Sequence, residues 1–154
     1  MLSKPTTPQI ILDCRRELLE TIDPVVSDPT VKIAIQMLEN VLRNCAERSA
    51  HEIAWMREES DAMVAFARDV KSTVGSSPEI DVAIASYEKG DNVTLHLDAV
   101  SDSYSRAGEC LSVALERAFA TGHTELHLRG REILALRLAH EDAIKGDWAF
   151  VGRG

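Results

Sequence analysis

Residues 30–74 read TVKIAIQMLENVLRNCAERSAHEIAWMREESDAMVAFARDVKSTV and contain neither Gly nor Pro. Their apolar side chains recur every three or four positions, the period of a helix face and not the alternation of a strand. Val31, Ala34, Leu38, Val41 and Cys45 follow a 3-4-3-4 spacing, the narrow seam along which helices of a bundle or coiled coil meet. Met56, Ser60, Met63, Ala67, Val70 and Val74 make a second seam of the same kind. Eleven residues, three helical turns, separate Cys45 from Met56, so the two seams stay in phase. One signal competes: Ser49-Ala50-His51-Glu52 matches a capping box, which marks a helix start. The phase agreement favours one helix over about residues 29–74, bent near Ser49 and roughly 70 Å long at the helical rise.

The flanks are read from their punctuation. Thr7-Pro8 is a start signal, a capping hydroxyl followed by Pro at the first helical position. The helix that follows places Ile11, Cys14, Leu18 and Ile22 on one face, widened by Leu12 and Leu19, and ends at Asp23-Pro24. Asp28-Pro29 repeats the start signal for the long helix, and Gly75-Ser76-Ser77-Pro78 closes it. A short connecting helix then carries Ile80, Ala83, Ile84 and Tyr87, and Lys89-Gly90-Asp91-Asn92 makes a turn in which Asp91 or Asn92 caps the next helix. Leu97, Val100, Tyr104, Ala107, Leu111, Ala114 and Ala118 form a third seam, closed by Thr121-Gly122. The last helix turns Leu126, Gly130, Ile133, Leu136, His140 and Ile144 inward. The tail from Gly146 to Gly154 is irregular and offers Trp148 and Phe150 for docking. The fold class expected is all-α, an antiparallel helical bundle forming a single domain over residues 1–154.

Composition agrees and narrows the partners. At 154 residues and 45% hydrophobic, with few aromatics, the core is aliphatic and suits helix-on-helix packing. The formal net charge is −8, and neither half is basic: 9 of the 17 Lys+Arg and 12 of the 25 Asp+Glu precede Pro78. A nucleic-acid backbone or an anionic membrane surface would be repelled. No apolar run approaches the ~20 residues that span a bilayer. The N-terminal stretch has no apolar segment after Lys4, so a secretory signal is not expected. Cys14, Cys45 and Cys110, odd in number and set in apolar-periodic stretches, read as reduced, buried residues of a cytoplasmic protein.

Candidate chemistry is sparse. A di-metal bundle site needs Glu-x-x-His twice, and no His here has an acid three positions before it. His123 and His127 share a helix face, but a zincin pair would need Glu where Thr124 stands, so His127 reads as exposed beside Glu125. His140, on the inner face, reads as a hydrogen-bonded core residue. Arg106, Arg117, Arg129, Arg131 and Arg137 are interleaved with Glu109, Glu116, Glu125, Glu132 and Glu141, which reads as surface ion pairing. Glu17-x-x-Glu20 and Glu58-x-x-Asp61 resemble the paired carboxylates of the all-helical nucleotide pyrophosphohydrolases, in which four such groups gather Mg²⁺ for triphosphate hydrolysis. Two departures weigh against that family: Arg16 stands where a further Glu is usual, and 37 residues separate Glu20 from Glu58. No Gly-rich phosphate loop, nucleophile elbow or Cys-x-x-Cys is present. No catalytic residue, metal site or cofactor is assigned.

Leu12-Asp13-Cys14-Arg15-Arg16-Glu17-Leu18-Leu19-Glu20-Thr21-Ile22, the Ser27-Asp28-Pro29 restart and Val41-Leu42-Arg43-Asn44 in the long helix carry one further likeness. The pattern resembles an uncharacterised bacterial family of small all-helical proteins encoded beside aminoglycoside-phosphotransferase-like kinases and acyl-CoA dehydrogenases. That resemblance implies an accessory role beside a partner enzyme and carries no catalytic residue. A helix much longer than its neighbours leaves apolar seam to cover, and Met37, Met56 and Met63 are adaptable packing residues suited to an interface. The reading is a non-catalytic helical-bundle protein that self-associates, as a dimer, or binds a partner enzyme. The alternative is a Mg²⁺-dependent pyrophosphohydrolase using Glu17, Glu20, Glu58 and Asp61.

Overall fold

Asp28 sets the start of the long helix. Its Oδ1 accepts hydrogen bonds from the backbone N–H of Thr30 at 2.7 Å and of Val31 at 3.2 Å, and Pro29 takes the first helical position, where no N–H is needed. In this computed structural model, which describes residues 4–90 and 93–145, the helix then runs unbroken from Pro29 to Val74. The capping-box signal at Ser49 is overridden. Ser49 Oγ donates back to the Ala46 carbonyl at 3.0 Å, and Glu52 pairs with Arg48 on the preceding turn instead of reaching the Ser49 N–H.

The protein is all-helical, and no strand occurs among the described residues. The helices are α1 (Thr7–Glu17), α2 (Pro29–Val74), α3 (Pro78–Glu88), α4 (Leu97–Thr121) and α5 (Thr124–Lys145). Between α1 and α2 the chain winds wider through a π turn at Leu18–Ile22, then tightens into a 3₁₀ turn at Asp23–Val25. The first helix starts one residue earlier than the sequence suggests, with Thr6 as N-cap and its N–H bonded to Gln9 Oε1 at 2.8 Å. No helix among the described residues is long and apolar enough to cross a membrane. The expectations for Asp91, Asn92, Trp148 and Phe150 lie outside the described residues.

Two compact units emerge along the chain, residues 1–52 with 141–154, and residues 53–140. The second unit holds the main core. Met63, Phe66, Ala67 and Val70 of α2, Ile80, Ala83, Ile84 and Tyr87 of α3, Ala107, Cys110, Leu111, Ala114 and Ala118 of α4, and Leu126 and Ile133 of α5 are all buried in one cluster. Apart from Phe66 and Cys110, which lie beside the seams, these residues belong to the second seam, the short-helix face, the third seam and the last-helix face as their spacing places them; of those positions Leu97, at the start of α4, is exposed. Gly130 has a packing reason: a Cβ there would stand 2.7 Å from Leu115 Cδ2 and 3.4 Å from Phe66 Cζ. Gly122, with φ of 67°, supplies the left-handed residue that stops α4.

In the unit of residues 1–52, burial differs sharply from the sequence reading. Its only buried apolar side chains among the described residues are Leu18, Ile35 and Ala46. Charged pairs tie α1 and the turn after it to α2: Arg15 Nε donates to Glu39 Oε1 at 2.7 Å, and Lys32 Nζ donates to the Asp23 carboxylate at 3.0 Å and its carbonyl at 2.9 Å. Ile35 and Ala46 of α2 are buried and Glu39 is held by Arg15 of α1, whereas the seam of Val31, Ala34, Leu38, Val41 and Cys45 is exposed. Cys14 and Cys45 are therefore exposed thiols and Cys110 alone is buried, which corrects the expectation for all three.

Candidate functional site

The exposed stripe of α2 is the first candidate. Val31, Ile33, Met37, Leu38 and Val41 each keep between 45% and 66% of their surface exposed, with Ala34 exposed among them and Cys45 one turn beyond. Between Thr30 and Ala46 the charged residues are Lys32, Glu39 and Arg43, and each is engaged within the unit, with Asp23, Arg15 and Asn40 respectively. The stripe is thus apolar and uncharged along more than four helical turns. Water on such a surface is costly, at about 25 cal/mol for each Å².

The second candidate is a polar network inside the unit of residues 53–140. Glu59 has a side chain only 6% exposed, and its two oxygens are divided between different partners. Oε1 meets His140 Nδ1 at 2.7 Å; Oε2 accepts from the Tyr104 hydroxyl at 2.6 Å, with Arg137 Nε 3.4 Å away. Arg137 Nε also donates to the Tyr104 oxygen at 3.2 Å, and its guanidinium lies over the Tyr104 ring at 5.6 Å. The indole of Trp55 stacks on the His140 ring at 4.6 Å, nearly parallel. The helix spacing makes this constellation: Trp55 and Glu59 are one turn apart on α2, as are Arg137 and His140 on α5. Burial, reinforced by the Glu59 carboxylate and opposed by Arg137, raises the Tyr104 pKa, so the phenol stays a donor.

Chemically, the network holds a carboxylate away from water by giving it three donors. His140 turns Nδ1 to Glu59 Oε1 and Nε2 toward Glu58 Oε2 at 3.9 Å. His140 is the hydrogen-bonded inner-face residue its position implies. Glu59, in contrast, was invisible among neighbouring acids. The only signal was its position one residue before Ser60 of the buried seam, next to the exposed Glu58.

The remaining sequence candidates are distributed as follows. Glu17 and Glu20 are exposed on the unit of residues 1–52; Glu58 and Asp61 are exposed on the unit of residues 53–140. Among the described residues no three or more His, Cys, Asp or Glu side chains gather where they could hold a metal ion. His127 is half-buried, not exposed beside Glu125: its Nε2 bonds the Ala118 carbonyl at 3.0 Å and its ring leans on Phe119, satisfying an end carbonyl of α4. Among the described residues the arginines of α4 and α5 form no ion pair with the interleaved glutamates. Arg129 pairs with Asp69 and Arg137 with Glu59, both on α2, and Arg117 donates to the Val74 carbonyl at 3.3 Å. Comparisons with protein-family models, curated proteins and solved structures found no match to this chain.

Proposed function

We propose that this protein is a non-catalytic helical interaction protein that pairs with a second copy of itself through the exposed stripe of α2. The observation that carries the reading is the imbalance in the unit of residues 1–52, which buries Leu18, Ile35 and Ala46 while leaving Val31, Ile33, Met37, Leu38 and Val41 wet. The 3-4 spacing of the seam is the pattern by which one helix packs on another like it. Its neutrality supports a like partner. Two chains of net charge −8 repel at long range, but a face whose own side chains are uncharged, with the nearby Glu39 paired to Arg15, adds nothing to that repulsion. A specific dimer needs about 1,000 Å² in total, and five half-exposed apolar side chains from each copy, with Ala34 and Cys45, supply an area of that order. The free thiols at Cys14, Cys45 and Cys110 fit the reducing cytoplasm.

Sedimentation velocity over a range of concentrations tests the reading. The wild-type chain should sediment as a dimer, and Leu38→Glu should sediment as a folded monomer with unchanged helicity. A wild-type chain that stays monomeric at tens of micromolar would sink self-association and leave a partner enzyme as the occupant.

A further inference from the structure

On the unit of residues 53–140, a hollow of about 350 Å³ lies between α3 and α4. Val82, Ala85, Ser86 and Lys89 line it from one face of α3, at the i, i+3, i+4, i+7 spacing, and Gly90 and Arg106 complete it. The Nε of Arg106 is shut off from solvent and has no hydrogen-bond partner, and Lys89 forms no ion pair among the described residues. Nearby, Arg68 pairs with Glu88 and Lys71 with Asp81. In a protein of net charge −8, acids are plentiful, yet none reaches these two groups among the described residues. Gly90 makes the arrangement possible: a Cβ there would stand 2.9 Å from both Nε and Cζ of Arg106, so any other residue would push the guanidinium away.

We propose that this hollow binds a small monocarboxylate with a short apolar tail. The Arg106 guanidinium offers parallel N–H donors that match a carboxylate, and Lys89 and the Ser86 hydroxyl add a charge and a further donor. Val82 and Ala85 provide the apolar wall for the tail. The hollow sits at the C-terminal end of α3, whose partial negative charge opposes a dianion more than a monoanion. That end disfavours a dianion, so a carboxylate is preferred over a phosphate. The same end offers a competing explanation of the cations, which is that they simply complement the helix dipole. A ligand titration separates the two.

The test follows the Arg Nε–H resonances of the ¹⁵N-labelled full chain during titration with butyrate, and separately with inorganic phosphate, at matched ionic strength. Arg106→Gln identifies the Arg106 signal. Butyrate should shift that signal saturably, and more tightly than phosphate does. Lys89→Gln should weaken butyrate binding about three- to tenfold, as loss of one charged contact does. Gly90→Ala should weaken it further while both charges remain. Lys89 is exposed, so its variant reports even where Gly90→Ala is poorly folded. The proposal is overturned by an Arg106 signal that butyrate does not move saturably, by phosphate binding more tightly, or by butyrate affinity unchanged in Lys89→Gln. Each result would leave the cations as helix-end complements.

Discussion

Glu59 concentrates the cost of the interior in a single side chain. Its replacement by Ala strands the donors of His140, Tyr104 and Arg137 and should cost about 3–5 kcal/mol, as breaking a buried ionic network does. Urea unfolding midpoints measure it, and a loss below about 1 kcal/mol would mean the network is solvated in solution. Tyr104 gives a pH signature. Its folded pKa is raised above the ordinary 10.0, so the native state holds its proton after the unfolded state has released it. Stability from this residue is intact below pH 10 and declines as pH climbs through and beyond that value. A Tyr87→Phe chain has Tyr104 as its one remaining tyrosine, and absorbance at alkaline pH should show it ionising above free tyrosine. The cysteines divide by environment. Burial, with Glu109 nearby, pushes the Cys110 thiol up to about 11, so iodoacetamide at neutral pH should spare it in the native state. Cys14 should label readily, and Cys45, on the proposed dimer face, should label more slowly as protein concentration rises.

At the scale of elements, caps and core positions carry different magnitudes. Asp28→Ala leaves the Thr30 and Val31 N–H groups without their acceptor and should cost about 1 kcal/mol, read as a shift of the urea midpoint. Phe66→Ala removes a fully buried ring from the contact of α2 with Gly130 and Leu115 and should cost about 3–5 kcal/mol. If the two costs were equal, the core assigned to residues 53–140 would be wrong. The long helix also shows how a local signal loses. Ser49 and Glu52 have the residue types of a capping box, but the chain on both sides already had helical partners for its backbone, so the helix continues through them.

For the whole molecule, the two units have opposite balances of apolar surface. Residues 53–140 enclose their seams, whereas residues 1–52 expose theirs, and that asymmetry is why self-association is proposed through α2 alone. Assembly should stabilise the first unit preferentially. Hydrogen exchange at residues 30–46 should therefore slow as concentration rises through the dimerisation range, while exchange at residues 100–118 stays constant. Equal dependence in both regions would contradict an interface confined to α2.

Helical period, start signals and stop signals are local properties, so the linear chain alone determined the all-helical class, the long helix from Pro29 to Val74 and the inner faces of α3, α4 and α5. Which seam is covered depends on what lies opposite it. The Val31 to Cys45 stripe and the Met56 to Val74 stripe have the same spacing, yet one is wet and the other turned inward, because in residues 1–52 the side of α2 that is covered carries Ile35 and Ala46, with Glu39 held by Arg15. Likewise Glu58 and Glu59 are equivalent as letters. Only packing turned Glu59 toward Tyr104 and His140, since a one-residue step rotates a helical side chain by about 100° and moves it from solvent to core.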